Sequence, residues 1–162
     1  GHSRTSHGLA KPRADEYLAA MQALWASDKP AYHGRYVDFE GVDAHPRPFQ
    51  KPWPQLVFGG YSPRSYRRAV SQGHGWYGYG LNVEQTRERL QGLRQAASEV
   101  KRPPELGALE ITVTPSDDVD SEAVQAFAAA GVHRLAIRMP HDRAAGDIED
   151  YVRSHAPAEL GA

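Results

Sequence analysis

Leu56-Val57-Phe58-Gly59-Gly60-Tyr61-Ser62-Pro63-Arg64 joins a short apolar run, two glycines and a helix start without a gap. The run Leu56-Val57-Phe58 predicts a buried strand. Gly59-Gly60 ends it. Ser62-Pro63 opens a helix, because a serine hydroxyl satisfies orphan N–H groups and a proline at the first helical position has no N–H to lose. The buried face of that helix is expected at Tyr66, Ala69 and Val70. Two positions without side chains at a strand's end let main chain approach a ligand closely. The first helical turn then presents N–H groups at the positive end of a dipole, where phosphate binds. Ser62 adds a hydroxyl and Arg64 a positive charge. The same residues also make a plain tight strand-to-helix turn, so alone they leave both readings open.

Downstream, the pattern repeats in type though not in sequence. Trp76-Tyr77-Gly78-Tyr79 is a second strand, and alternation sends Trp76 and Gly78 to one side, Tyr77 and Tyr79 to the other. Core packing is the first role expected of these aromatics, with Tyr79 next in line as a pocket residue. Asn82 with Gln85 caps a long helix whose stripe is Val83, Leu90, Leu93, Ala97 and Val100. Leu109 to Thr114 is a third strand. Asp120 caps a helix with Val124, Phe127 and Ala128 inward, and Gly131 stops it. Leu135-Ala136-Ile137 is a fourth strand, and Ile148, Tyr151 and Val152 mark a last short helix. Apolar strands alternating with amphipathic helices indicate parallel βα units. The expected fold is therefore α/β. Four such units make a small open sheet or part of a (β/α)₈ barrel, and a complete barrel takes about 250 residues, more than the 162 here.

Upstream, Tyr17, Leu18, Met21, Leu24 and Trp25 predict one face of a helix following Pro12 and ending near Ser27-Asp28. Tyr36-Val37-Asp38-Phe39 reads as a short strand between Gly34 and Gly41. Pro46, Pro48, Pro52 and Pro54 then forbid helix and central strand. One domain over 1–162 is expected: helix, short strand and proline-rich connection to residue 54, and four βα units over 55–155.

With 19 Lys+Arg against 20 Asp+Glu, the net charge is -1. That balance argues against a nucleic-acid-binding module. No apolar stretch approaches the roughly 18 residues of a membrane helix, and Gly1-His2-Ser3-Arg4 leads into no signal-like apolar run. The absence of cysteine excludes disulfides, thiolate zinc ligands and a cysteine nucleophile. A cytoplasmic protein fits. The eight histidines lack metal-ligand spacing, so no metal site is expected. His74, in a helix-to-strand turn, is expected to cap, and His45 to sit in an exposed loop.

Beyond these local readings, Gly59-Gly60-Tyr61-Ser62-Pro63, Arg68-Ala69-Val70 and Gly73-His74-Gly75-Trp76 together resemble the C-terminal half of the luciferase-like monooxygenases, in the branch using flavin or coenzyme F-420. Ala14-Asp15-Glu16-Tyr17-Leu18 with Leu24-Trp25 resembles that family's first helix here. His33-Gly34-Arg35-Tyr36 with Phe39 resembles its insertion, and Pro46 to Pro54 its proline-rich lead-in. The likeness runs from about residue 8 to about 140, and His74 stands where the family usually has Asp. The resemblance implies parallel βα units corresponding to the second half of a (β/α)₈ TIM-type barrel. It implies FMN or coenzyme F-420 as cofactor, a small organic molecule as substrate, and hydride transfer or oxygen insertion as the reaction. It places Phe58, Gly59, Gly60, Tyr61 and Ser62 against the cofactor and its phosphate-bearing chain. The family's first four strands and its acid/base residues have no counterpart here, so no catalytic residue is named. The expectation is a fragment or a shortened form, and two unpaired strand edges invite a homodimer. A non-catalytic flavin-binding half-barrel is the alternative.

Overall fold

A computed structural model describes residues 10–139 and 145–161. The chain falls into two compact units, divided between Pro54 and Gln55.

In the first unit, helix α1 (Ala10–Ala26) precedes an antiparallel hairpin of strands β1 (Tyr32–His33) and β2 (Asp38–Phe39). The strand expected over 36–39 is thus only half strand. Tyr36 and Val37 belong to the turn, closed by a 2.8 Å bond from the Gly34 N–H to the Val37 carbonyl. The turn leaves two N–H groups pointing outward, and Glu16 of α1 takes both. Val37 donates to Glu16 Oε1 at 2.8 Å and Tyr36 donates to the same oxygen. A side chain at Gly34 would collide with that carboxylate. The helix motif and the hairpin motif are therefore two halves of one lock. Ala20, one turn beyond Glu16 on the same face, is buried with Leu18, while Tyr17 and Met21 of the expected stripe stay exposed. Arg47 donates to the carbonyls of Leu24, Ser27 and Asp28, closing the end of α1. The proline-rich stretch holds no helix or strand.

Burial opposes ionisation of Glu16. The main-chain N–H groups of Tyr36, Val37 and Arg35, with the Arg35 charge, outweigh it and hold the carboxyl below its ordinary 4.5. A carboxylate with a lowered folded-state pKa contributes stability that is complete above the unfolded value and lost as pH falls through the folded one. Acid titration of the hairpin, followed by amide exchange at Tyr36 and Val37, should show protection constant above pH 4.5 and falling below it. Glu16→Gln should remove that pH dependence. A wild-type chain whose protection stays flat through the whole acid range would contradict the lock.

The second unit runs β3 (Val57–Gly59), α2 (Pro63–Gln72), β4 (Gly75–Leu81), α3 (Val83–Glu99), a 3₁₀ turn (Pro104–Leu106), β5 (Glu110–Pro115), α4 (Ser121–Ala130), β6 (Arg134–Leu135), α5 (Ala145–Ser154) and α6 (Pro157–Leu160). The four strands pair in parallel in chain order, β3-β4-β5-β6. The caps are those the sequence predicts. The Ser62 hydroxyl accepts from Ser65 N, Asn82 and Gln85 form a reciprocal box, Asp120 accepts from Ala123 N, and Gly131 ends α4 at φ 102°.

Register puts Phe58, Trp76, Ile111 and Val113 on one face of the sheet, where they pack with Tyr66, Ala69, Val70, Leu90, Leu93 and Phe127 into a single core. Tyr77, Tyr79, Thr112 and Thr114 occupy the other face, as alternation requires. Three details of the expected stripes shift. Ala96 is buried instead of Ala97, because Leu93 and Ala96 continue the α3 face at i, i+3. In α4 only Phe127 is buried and Ala128 is exposed. Val152 of α5 is exposed too. The face away from the helices carries polar groups beside the exposed Val57, so β3 is not the buried strand expected: only Phe58 turns into the core. Tyr77 Oη lies 2.8 Å from Thr114 Oγ1, and Arg134 pairs with Glu110 at 3.0 Å.

At the N-terminal ends of the strands, one device appears twice. His74 donates its main-chain N–H to the Leu56 carbonyl and accepts the Leu56 N–H on Nδ1 at 3.0 Å. His133 does the same with Ile111, at 2.9 Å for each bond. The cap expected of His74 is therefore a cap on the neighbouring strand. Also in this unit, Arg102 donates to four carbonyls: Val70 and Gly73 at the end of α2, and Leu106 and Gly107 in the 3₁₀ turn. Burial alone pulls its pKa below the ordinary value.

Candidate functional site

Parallel strands bring their C-terminal ends to one rim, and β3 delivers Gly59-Gly60 there. Gly59, Gly60, Tyr61 and Ser62 are all exposed. Gly60 has φ 104°, and a Cβ on it would lie 2.8 Å from Ser65 Oγ, so this position requires glycine twice over. The Gly60 carbonyl accepts the indole N–H of Trp76 at 3.1 Å. The Gly60–Tyr61 peptide is trans, so its N–H points opposite to its carbonyl, away from the Trp76 ring. Ser62 Oγ is 2.8 Å from Ser65 Oγ, which gathers two hydroxyls at the start of α2.

The five residues expected at the cofactor therefore divide. Gly59, Gly60 and Ser62 present main chain and a hydroxyl to the rim. Phe58 turns its side chain into the helix-side core, so it offers the rim only backbone. Tyr61 turns its phenol toward β4, where the hydroxyl donates to the Tyr79 carbonyl at 2.7 Å and accepts the Tyr79 N–H at 2.8 Å. Its ring meets Trp76 edge-on at 6.1 Å, and the Arg89 guanidinium lies over it at 5.1 Å. Burial pushes the neighbouring Tyr66 phenol above its ordinary value, against the pull of Arg89.

Two rim residues extend this arrangement. Tyr79, on β4, accepts from Arg138 Nη1 at 2.9 Å, and Tyr151 of α5 donates to the Arg138 carbonyl at 3.0 Å. Arg138 is the residue that sequence reasoning missed. Continuing the alternation of Arg134-Leu135-Ala136-Ile137 by one step places it on the open face. A depression of about 100 Å³ beside it is lined by Ser116, Asp118, Ile137, Arg138 and Tyr151. A roomier apolar hollow of about 430 Å³ lies along α4, β6 and α6, with none of residues 58–62 in its walls. Among the described residues, no three His, Asp or Glu side chains converge as metal ligands.

Known proteins share this arrangement of sequence and fold. The chain is 29% identical over 147 residues to an uncharacterized protein of Mycobacterium tuberculosis, covering 90% of this chain and 49% of that one. It is 26% identical over 127 residues to an FMNH(2)-dependent dimethylsulfone monooxygenase of Pseudomonas putida, covering 78% and 35%. The chain thus spans half or less of these curated relatives. Among solved structures, the monooxygenase RslO1 from Streptomyces bottropensis superposes with TM-score 0.52 at 27% identity, over 78% of this chain and 39% of that one. An F420-dependent secondary alcohol dehydrogenase, at 14% identity, shares the fold with TM-score 0.63 over 83% and 58%. The α/β unit with its parallel sheet is thus similar to the barrels of those enzymes. The luciferase-like monooxygenase model matches residues 2–160, and the chain belongs to that family.

Proposed function

We propose that Gly59, Gly60 and Ser62 hold the phosphate-bearing tail of FMN or coenzyme F-420. On this reading the chain is part of a flavin- or deazaflavin-dependent oxidoreductase or monooxygenase acting on a small organic substrate. The observation that carries the proposal is the exposed two-glycine strand end. It lies at the rim where the parallel strands finish, its peptide is oriented by Trp76, and it runs straight into the start of α2. Ligands of open and barrel-shaped parallel α/β folds bind at this rim. The cofactor supplies the redox chemistry, and the chain's part is to anchor, orient and exclude water. The chain spans half or less of these curated relatives, so turnover is proposed for the whole protein. The cytoplasmic setting belongs to the same proposal.

A second reading has its own observation. Among the described residues, β3 and β6 each pair with one strand only, and an open parallel edge seeks a partner. A homodimer of flavin-binding half-barrels answers that need without catalysis.

Titrating the chain with FMN and with riboflavin, followed by flavin fluorescence, tests the first proposal. FMN should bind at least about tenfold more tightly, the value of one or two bonds to a charged oxygen. Equal affinity for both flavins would remove the phosphate site. The mass in solution, by light scattering, tests the homodimer: a monomer at micromolar concentration rejects it.

A further inference from the structure

We propose that Tyr61 is a positioning residue whose hydroxyl sets the Gly60–Ser62 main chain for a phosphate-bearing flavin; this rests on the reading above. β3 stops at Gly59, opposite Tyr77, while β4 continues to Leu81. Beyond Tyr77, β4 has lost its neighbour on that side, and the next N–H and carbonyl pair belonging to that ladder is at Tyr79. A parallel partner strand would accept the one and donate to the other. The Tyr61 hydroxyl does both, at 2.8 and 2.7 Å. A hydroxyl donates and accepts through a single atom, so it stands in for an absent strand residue.

The consequence falls on the turn. The chain between Gly60 and Ser62 is held at two points by β4: through the Gly60 carbonyl on Trp76, and through the Tyr61 phenol on Tyr79. Trp76 fixes the peptide plane and Tyr61 fixes the next residue. The ring is clamped between Trp76 and Arg89. Its phenol is committed to β4, so Tyr61 serves the site by holding main chain. The same Tyr79 accepts from Arg138, which carries the arrangement across to the end of β6.

The test uses Tyr61→Phe, which keeps the ring and removes only the hydroxyl. Amide exchange should be at least about tenfold faster at Tyr79 and unchanged at Trp76 and Gly78. FMN affinity should fall about tenfold, with riboflavin affinity within about twofold of wild type. Tyr61→Phe with the wild-type preference for FMN overturns the inference and leaves the phosphate site standing. Equal losses for both flavins also overturn it, since they make the hydroxyl a contact for the flavin ring itself and not a support for the phosphate-binding main chain. If the wild-type chain binds both flavins alike, the phosphate site and this inference fall together.

Discussion

Arg102→Met should destabilise the second unit by about 3–4 kcal/mol and lower its Tm by about 15 °C. The guanidinium is the shared donor of four carbonyls, with bonds of 2.7 to 3.1 Å. Two of them, Val70 and Gly73, close α2, and two belong to the turn that leads into β5. No carboxylate takes part among these bonds, so the arginine is held by dipoles alone. Burial works against its charge. Methionine matches the length and apolar stem and supplies no donor, leaving part-buried oxygens without partners. Lysine keeps the charge, but a single ammonium cannot span two segments in a planar fork; Arg102→Lys should recover no more than about 1 kcal/mol. Urea unfolding monitored by circular dichroism reads both values. A methionine variant within about 1 kcal/mol of wild type would show that water replaces the arginine at little cost.

Trp76→Ala should cost about 3–5 kcal/mol, the range for deleting a fully buried large aromatic. Its ring is wholly buried, edge-on to Tyr61 and tilted against Tyr66, both at 6.1 Å. Trp76 sits over Gly78, where an added Cβ would lie 2.7 Å from the indole, so the strand makes room for the ring by giving up its own next side chain. Trp76→Phe separates the two duties. It keeps much of the packing and drops the N–H that holds the Gly60 carbonyl. Phenylalanine should therefore cost about 1–2 kcal/mol in stability and still lower FMN affinity about tenfold. A phenylalanine variant with wild-type FMN affinity would mean that the turn holds its shape without the indole.

How much of this was legible beforehand depends on the range of the interaction. Period and capping are local, and they placed α2, α3 and α4 with their caps at Ser62, Asn82 and Asp120. Alternation is local as well, and it put Trp76 and Tyr77 on opposite faces. The lock between Glu16 and the turn at 34–37 is not local. A carboxylate twenty residues away took the N–H groups that a strand at Tyr36-Val37 would have used. Similarly, nothing within β3 foretells that Tyr61 reaches β4, since its partner is a main-chain pair eighteen residues on. For the candidate site, the two glycines and the serine were readable from steric and dipolar arguments. The inward turn of Phe58 was not read: the resemblance placed it against the cofactor, whereas its pairing opposite Trp76 sends its side chain to the core. Arg138 was not found, because it lies past the last apolar run, where the alternation that would have placed it was not carried one residue further.

The twin imidazole bonds at His74 and His133 divide the labour between the two ends of the sheet. Each takes an amide near a strand's start, Leu56 just before β3 and Ile111 second in β5, so the pairs β3–β4 and β5–β6 are stitched at their beginnings. Strand alignment is thereby set at the end of the sheet opposite the Gly59-Gly60 turn, so substitutions in the rim loops should leave the register of these two strand pairs in place.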